Sequence, residues 1–129
     1  MKPNYIKGVD ATIQEAKRLN KKAAVFVIGG EWCPWCVILK KNLALSDTLD
    51  KALIEDGFVI GYQEVDKKAV DTSGIRDRFS IPGIPFFIIF DEQGKVIAST
   101  EYPGEKETPA EEAMDLYVKW VRSHNDDAL

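Results

Sequence analysis

The chain carries two cysteines, and they stand three positions apart in Trp32-Cys33-Pro34-Trp35-Cys36. Two thiols at that spacing can close a disulfide or open one, so the chemistry they offer is thiol–disulfide exchange. Other uses fit less well. A static brace between residues this close would shut a very small loop and add little stability. Zinc as a rule takes four ligands, and the sole histidine, His124, stands near the far end of the chain. No metal and no bound cofactor are expected.

The flanking residues say which sulfur attacks. An apolar run from Ala23 to Ile28 reads as a buried strand, Gly29-Gly30 as a turn, and the stretch from Val37 to Leu43 as a helix. A Cys-x-x-Cys that opens a helix just after a strand is the setting in which the motif means redox chemistry. With Cys33 as N-cap, Pro34 takes the first helical position, where a missing N–H costs nothing. The N–H groups of Trp35 and Cys36 are then expected to face the Cys33 sulfur. Those donors and the positive end of the helix dipole favour a thiolate. Cys33 is the expected nucleophile, and Cys36, one turn deeper, the resolving thiol.

The elements that must hold this motif follow in order along the chain. Residues 9–20 predict an amphipathic helix with Val9, Ile13, Ala16 and Leu19 on one face, capped by Asp10 or by Thr12 with Glu15. After the strand and the motif helix, Ser46-Asp47-Thr48 starts a short helix to about Glu55. Residues 58–65 predict a second strand, and Asp71-Thr72-Ser73 begins a helical piece carrying Ile75 and Phe79. No helix tolerates Ile81-Pro82-Gly83-Ile84-Pro85. Residues 86–90 are a third strand, and a turn at 91–94 returns residues 95–100 as an antiparallel edge. Thr108-Pro109 opens the last helix, with Ala113, Leu116, Tyr117, Trp120 and Val121 as its apolar face. Strands 23–28 and 58–65, joined by a helical crossover, should be parallel. This predicts an α/β chain with a mixed central sheet, helices on both faces, and Cys33 beyond the carboxyl end of a central strand.

At 129 residues, one domain is expected over 1–129, with its core at about 9–123 and a frayed tail from 124. Hydrophobic residues make up 45% and charged residues 29%, with a net charge of −4, an ordinary balance for a globular chain. Lys40-Lys41 and Lys67-Lys68 are isolated pairs, so no nucleic acid is expected, and no apolar run has the length to span a membrane. The first eight residues show no export pattern, which reads as cytoplasmic for the chain as written. A mature exported or periplasmic chain would use the same cysteine pair equally well.

Two features, Trp32-Cys33-Pro34-Trp35-Cys36 after a strand and Gly83-Ile84-Pro85 opening a later one, make the chain resemble the thioredoxin fold. The resemblance covers about residues 9–123. It implies a cis Ile84–Pro85 bond beside the cysteines, and an Ile84 backbone that pairs with a substrate peptide. The leading segment is similar to thioredoxin-like domains of the bacterial thiol:disulfide interchange type. Three departures stand out. Val27 occupies the place of a buried Asp in thioredoxins, with Tyr62 where a neighbouring Lys stands, and Glu31 is the one nearby candidate for proton transfer. Gly29 replaces a packed tryptophan. Pro-Trp replaces Gly-Pro between the cysteines, which keeps the Trp35 N–H and predicts a couple more oxidising than thioredoxin.

The implied activity is disulfide exchange with protein substrates, served by a thiol reductant or oxidant, in a monomer. Trp32, Pro34, Trp35, Ile84 and Pro85 are the candidate substrate contacts. Trp32 and Trp35 with Ile84 and Pro85 form an apolar landing patch, or Trp32 packs into the fold. The alternative from another class is an adaptor whose apolar patch docks a partner.

Overall fold

The structure, a computed structural model, describes residues 1–125. Its elements run β1 (Ile6–Lys7), α1 (Val9–Arg18), β2 (Lys22–Ile28), α2 (Pro34–Leu45), α3 (Thr48–Glu55), β3 (Phe58–Glu64), α4 (Ile75–Arg78), β4 (Phe86–Phe90), β5 (Val96–Glu101) and α5 (Ala110–Asn125). The strands form one sheet in the order β1-β3-β2-β4-β5. β2 pairs parallel with β3 and antiparallel with β4, and β4 and β5 form the expected hairpin. β2 is therefore central, and the cysteine motif leaves its carboxyl end. Among the described residues no helix is long and apolar enough to cross a membrane.

The near-continuous apolar runs of β2 and β4 have a physical reason: both faces of the sheet are covered. Strand alternation sends Ala24, Phe26, Ile28, Phe87 and Ile89 to one side, where they pack with α2, α3 and α5. It sends Ala23, Val25, Val27, Phe86, Ile88 and Phe90 to the other, against α1 and α4. α1 lies close on β3 at Gly61. A Cβ there would sit 1.9 Å from Thr12 Oγ1 and 2.8 Å from the Ile6 carbonyl oxygen, so the contact needs a glycine.

Several local expectations change. β1, two residues long, carries no periodicity and escaped sequence reading; it pairs with β3 at Gly61 and Tyr62. The packed core also starts before residue 9, because Tyr5 is buried and stacks on Phe26 at 6.0 Å. Neither Asp10 nor Thr12 caps α1. Gln63 Oε1 from β3 accepts the Val9 N–H at 3.0 Å, and the buried Thr12 hydroxyl donates back to the Gly8 carbonyl at 2.7 Å. Asp10 pairs with Arg78 instead. A 3-10 turn at Lys68–Val70 was not foreseen, and α4 begins at Ile75, with Ser73 Oγ accepting the Ile75 N–H.

On α5 the buried stripe is Ala113, Met114, Tyr117, Val118 and Val121, while Leu116 is exposed and Trp120 half-buried. The expected face was rotated by about one residue, which the helical period alone does not decide. His124 and Asn125 still belong to α5 where the sequence reads as frayed. Residues 126–129, also assigned to that tail, lie outside the described residues.

Candidate active site

Cys33 ends the loop after β2 in an extended conformation (φ −109°, ψ 98°) and is the N-cap of α2, with Pro34 exposed at the first helical position. Cys36 lies one turn on, and the two are joined as a disulfide with Cα atoms 5.2 Å apart. Their exposures differ in kind: Cys33 keeps 6% of its surface and Cys36 none. The Cys36 N–H donates to Cys33 Sγ at 3.3 Å. Of the two donors expected, only this one makes the bond. In the disulfide the Cys33 sulfur is held toward Cys36, over the third helical residue, and this carries it away from the Trp35 N–H.

The loop does more than connect. The Gly29 N–H donates to Cys36 Sγ at 3.2 Å, so the buried sulfur has a backbone partner of its own. A Cβ at Gly29 would fall 2.5 Å from Trp32 Cζ2 and 2.9 Å from Ile84 Cδ1. The indole of Trp32 thus covers the spot from which thioredoxins would project a tryptophan, and the glycine is what lets it. Trp32 both packs on the loop and stays 38% exposed. Gly29 is a site residue that sequence reasoning treated as half of a turn and as a departure, without a role at the sulfurs; its place between strand and motif was the available signal.

The region of the missing acid is apolar. Val27 is fully buried in the cluster under α1 and α4, on the opposite side of the sheet from the cluster that holds Cys36. Its register partner on β3 is Gln63, not Tyr62, which pairs with Phe26 and packs on the other face. A shift of one residue along a strand reverses the face, and no single sequence shows the register. Glu31 is exposed, while Cys36 is closed to solvent and its sulfur accepts from the Gly29 N–H.

The segment before β4 brings the remaining candidates to the cysteines. The Ile84–Pro85 peptide is cis. The Ile84 carbonyl oxygen stands 3.8 Å from Cys33 Sγ, and Pro85 is buried. Beside them opens a groove of about 240 Å³, with Trp35, Ile84, Pro85, Glu101, Tyr102 and Gly104 among its walls. Burial raises the Tyr102 phenol above its ordinary pKa, against the opposing effect of the Asn42 amide that donates to its oxygen at 2.7 Å. Trp32 borders a different, more polar groove with Glu64, Asp66, Asp71 and Ser73. Trp35 and Trp32 thus line two different grooves. Glu101, Tyr102 and Gly104 were missed because they lie at and just after the end of β5, far along the chain, and only the hairpin returns them.

Residues 9–117 match the family model described as the thioredoxin-like domain. The chain belongs to that family. Among solved structures, this thioredoxin-like protein is similar to the DsbH oxidoreductase, with 20% identity over 96% of this chain and 89% of that one and a TM-score of 0.65. The disulphide isomerase of Xylella fastidiosa Temecula1 is 23% identical, with 88% of each chain covered and a TM-score of 0.65. Trxlp of Edwardsiella tarda EIB202 is 14% identical, with 86% and 96% covered and a TM-score of 0.55. No curated protein matches the sequence. At these identities the structural likeness is one of fold. The thioredoxin-like domain and the joined Cys33–Cys36 pair together support a disulfide oxidoreductase.

Proposed function

We propose that this thioredoxin-like protein exchanges disulfides with protein substrates, with Cys33 as the attacking thiol and Cys36 as the resolving one. In the reductive direction the Cys33 thiolate attacks one sulfur of a substrate disulfide. The substrate S–S bond breaks, a Cys33–substrate disulfide forms, and the other substrate sulfur leaves as a thiolate and takes a proton. Cys36, once deprotonated, attacks Cys33 Sγ, closes the internal disulfide and releases the second substrate thiolate. Two electrons have passed to the substrate. The reverse sequence oxidises a dithiol, and a thiol reductant or oxidant resets the pair. The Gly29 N–H supports charge on Cys36 while it attacks.

The single observation that carries the role assignment is the asymmetry of the pair: Cys33 at the start of α2 with surface left to solvent, Cys36 with none. The neighbours named as an oxidoreductase and a disulphide isomerase support disulfide exchange as the activity. In the reduced protein, limiting iodoacetamide at neutral pH should label Cys33 ahead of Cys36, as read by peptide mapping. Cys36→Ser should accumulate mixed disulfides with substrate and Cys33→Ser should form none. Equal labelling, or trapping through Cys36, would sink the assignment. Partner binding without any disulfide turnover would favour the adaptor reading instead.

A further inference from the structure

The groove beside Cys33 has walls of unequal chemistry. The rings of Trp35 and Tyr102 stand 5.8 Å apart between centroids, tilted by 48°. Tyr102 is held in place on two sides. Asn42, buried on α2, donates to its hydroxyl, and Gly104 lies so close that a Cβ there would be 3.1 Å from Tyr102 Cε2. Glu101, the last residue of β5, pairs in register with Phe86, which directly follows Pro85. Glu101 is exposed and is one of the residues that line the groove, and no lysine or arginine among the described residues pairs with it. Two aromatic faces, an aliphatic floor of Ile84 and Pro85, and an unpaired carboxylate suit a cation on an apolar stem. A lysine or arginine side chain lays its methylenes on such walls and presents its head to the ring faces and the carboxylate. A substrate acid in the same place would be repelled.

The position relative to the reaction matters as much as the chemistry. Ile84 and Pro85 line the groove, and the Ile84 carbonyl oxygen is 3.8 Å from Cys33 Sγ. A chain whose cysteine meets Cys33 therefore carries its neighbouring side chains past Trp35, Tyr102 and Glu101. The net charge of −4 acts in the same direction. Resting on the oxidoreductase reading above, we infer that Trp35, Tyr102 and Glu101 form a specificity subsite that favours substrate disulfides with Lys or Arg within two positions of the attacked cysteine.

The test uses the full-length reduced protein and model peptides that differ only in Lys, Gln or Glu beside a cysteine blocked by 2-mercaptoethanol as the mixed disulfide. The rate for the Lys peptide should exceed that for the Glu peptide about fivefold at low ionic strength, narrowing as salt is added. In Glu101→Gln the ratio should fall to about twofold or less, and in Glu101→Lys it should invert. Equal rates in the wild type, or a ratio that survives Glu101→Gln, would overturn the subsite. Reduction of uncharged bis(2-hydroxyethyl) disulfide by the wild type separates the two readings. If that compound is reduced and no charge preference appears, the subsite alone fails. If the wild type reduces nothing, the oxidoreductase reading fails and the subsite with it.

Discussion

Cys33 Sγ takes one backbone donor in the disulfide, the Cys36 N–H, and leaves the Trp35 N–H unused. Reduction frees the sulfur from Cys36, and a Cys33 thiolate is then able to take Trp35 as a second donor. A hydrogen bond to a charged group contributes about 1.5–3 kcal/mol. On a two-electron couple that corresponds to roughly 30–60 mV in favour of the reduced form. Trp35→Pro, which deletes the donor, should lower the potential by about that amount in equilibration with glutathione. Trp35→Ala keeps the N–H, and its potential should stay near that of the wild type. Equal potentials for the Pro and Ala variants would mean that the second donor is never used.

Between elements, the start of α5 is tied to the junction of α2 and α3 through one carboxylate. Glu111 accepts from Thr48 Oγ1 at 2.6 Å and from Ser46 Oγ at 2.7 Å, while Ser46 Oγ also accepts the Thr48 N–H. Hydrogen bonds from Thr48 and Ser46 hold the Glu111 carboxyl below its ordinary value of 4.5. A carboxylate depressed in the folded state stabilises above its unfolded pKa, and the effect is lost as pH falls through the folded value. Wild type should therefore exceed Glu111→Gln in urea midpoint at pH 7. The gap should shrink below about pH 4.5 and close in stronger acid. A gap that stays constant with pH would show that the bonds do not depend on the charge.

Across the whole molecule, the chain before α1 is part of the packing. Tyr5 is buried on the α2–α3–α5 side of the sheet, stacks on Phe26, and donates its hydroxyl to Asp50 on α3. Lys2 reaches the same carboxylate and Asp47. The segment thereby fastens a sheet edge to a helix of the layer that carries the cysteines. Tyr5→Ala should lower stability by about 3–5 kcal/mol, the range for emptying a large aromatic site in a core. Tyr5→Phe, which keeps the ring and strands the Asp50 acceptor, should lose about 1–3 kcal/mol. Urea unfolding measures both. Near-wild-type stability of the Ala variant would show that the domain starts at α1.

By itself the sequence determined the central architecture and the reactive pair. Val, Ile and Phe runs bounded by glycine and proline leave little choice for β2, β4 and the hairpin, and two cysteines opening a helix after a strand leave little choice of chemistry. These are local properties of consecutive residues. Gly83-Ile84-Pro85 was legible too, through a family resemblance. What lay outside its reach depends on register and return. Gln63 and not Tyr62 stands beside Val27 because parallel pairing settles which residues share a face. Gln63 also caps α1 from another strand. Gly29 serves Cys36 and makes room for Trp32 only once the loop has folded back. Glu101 and Tyr102 reach the site because an antiparallel partner brings the end of β5 alongside the start of β4. Contacts between residues distant in the chain leave no local pattern to read, so the identity of the reacting sulfurs was set by sequence and the shape of what meets them by tertiary structure.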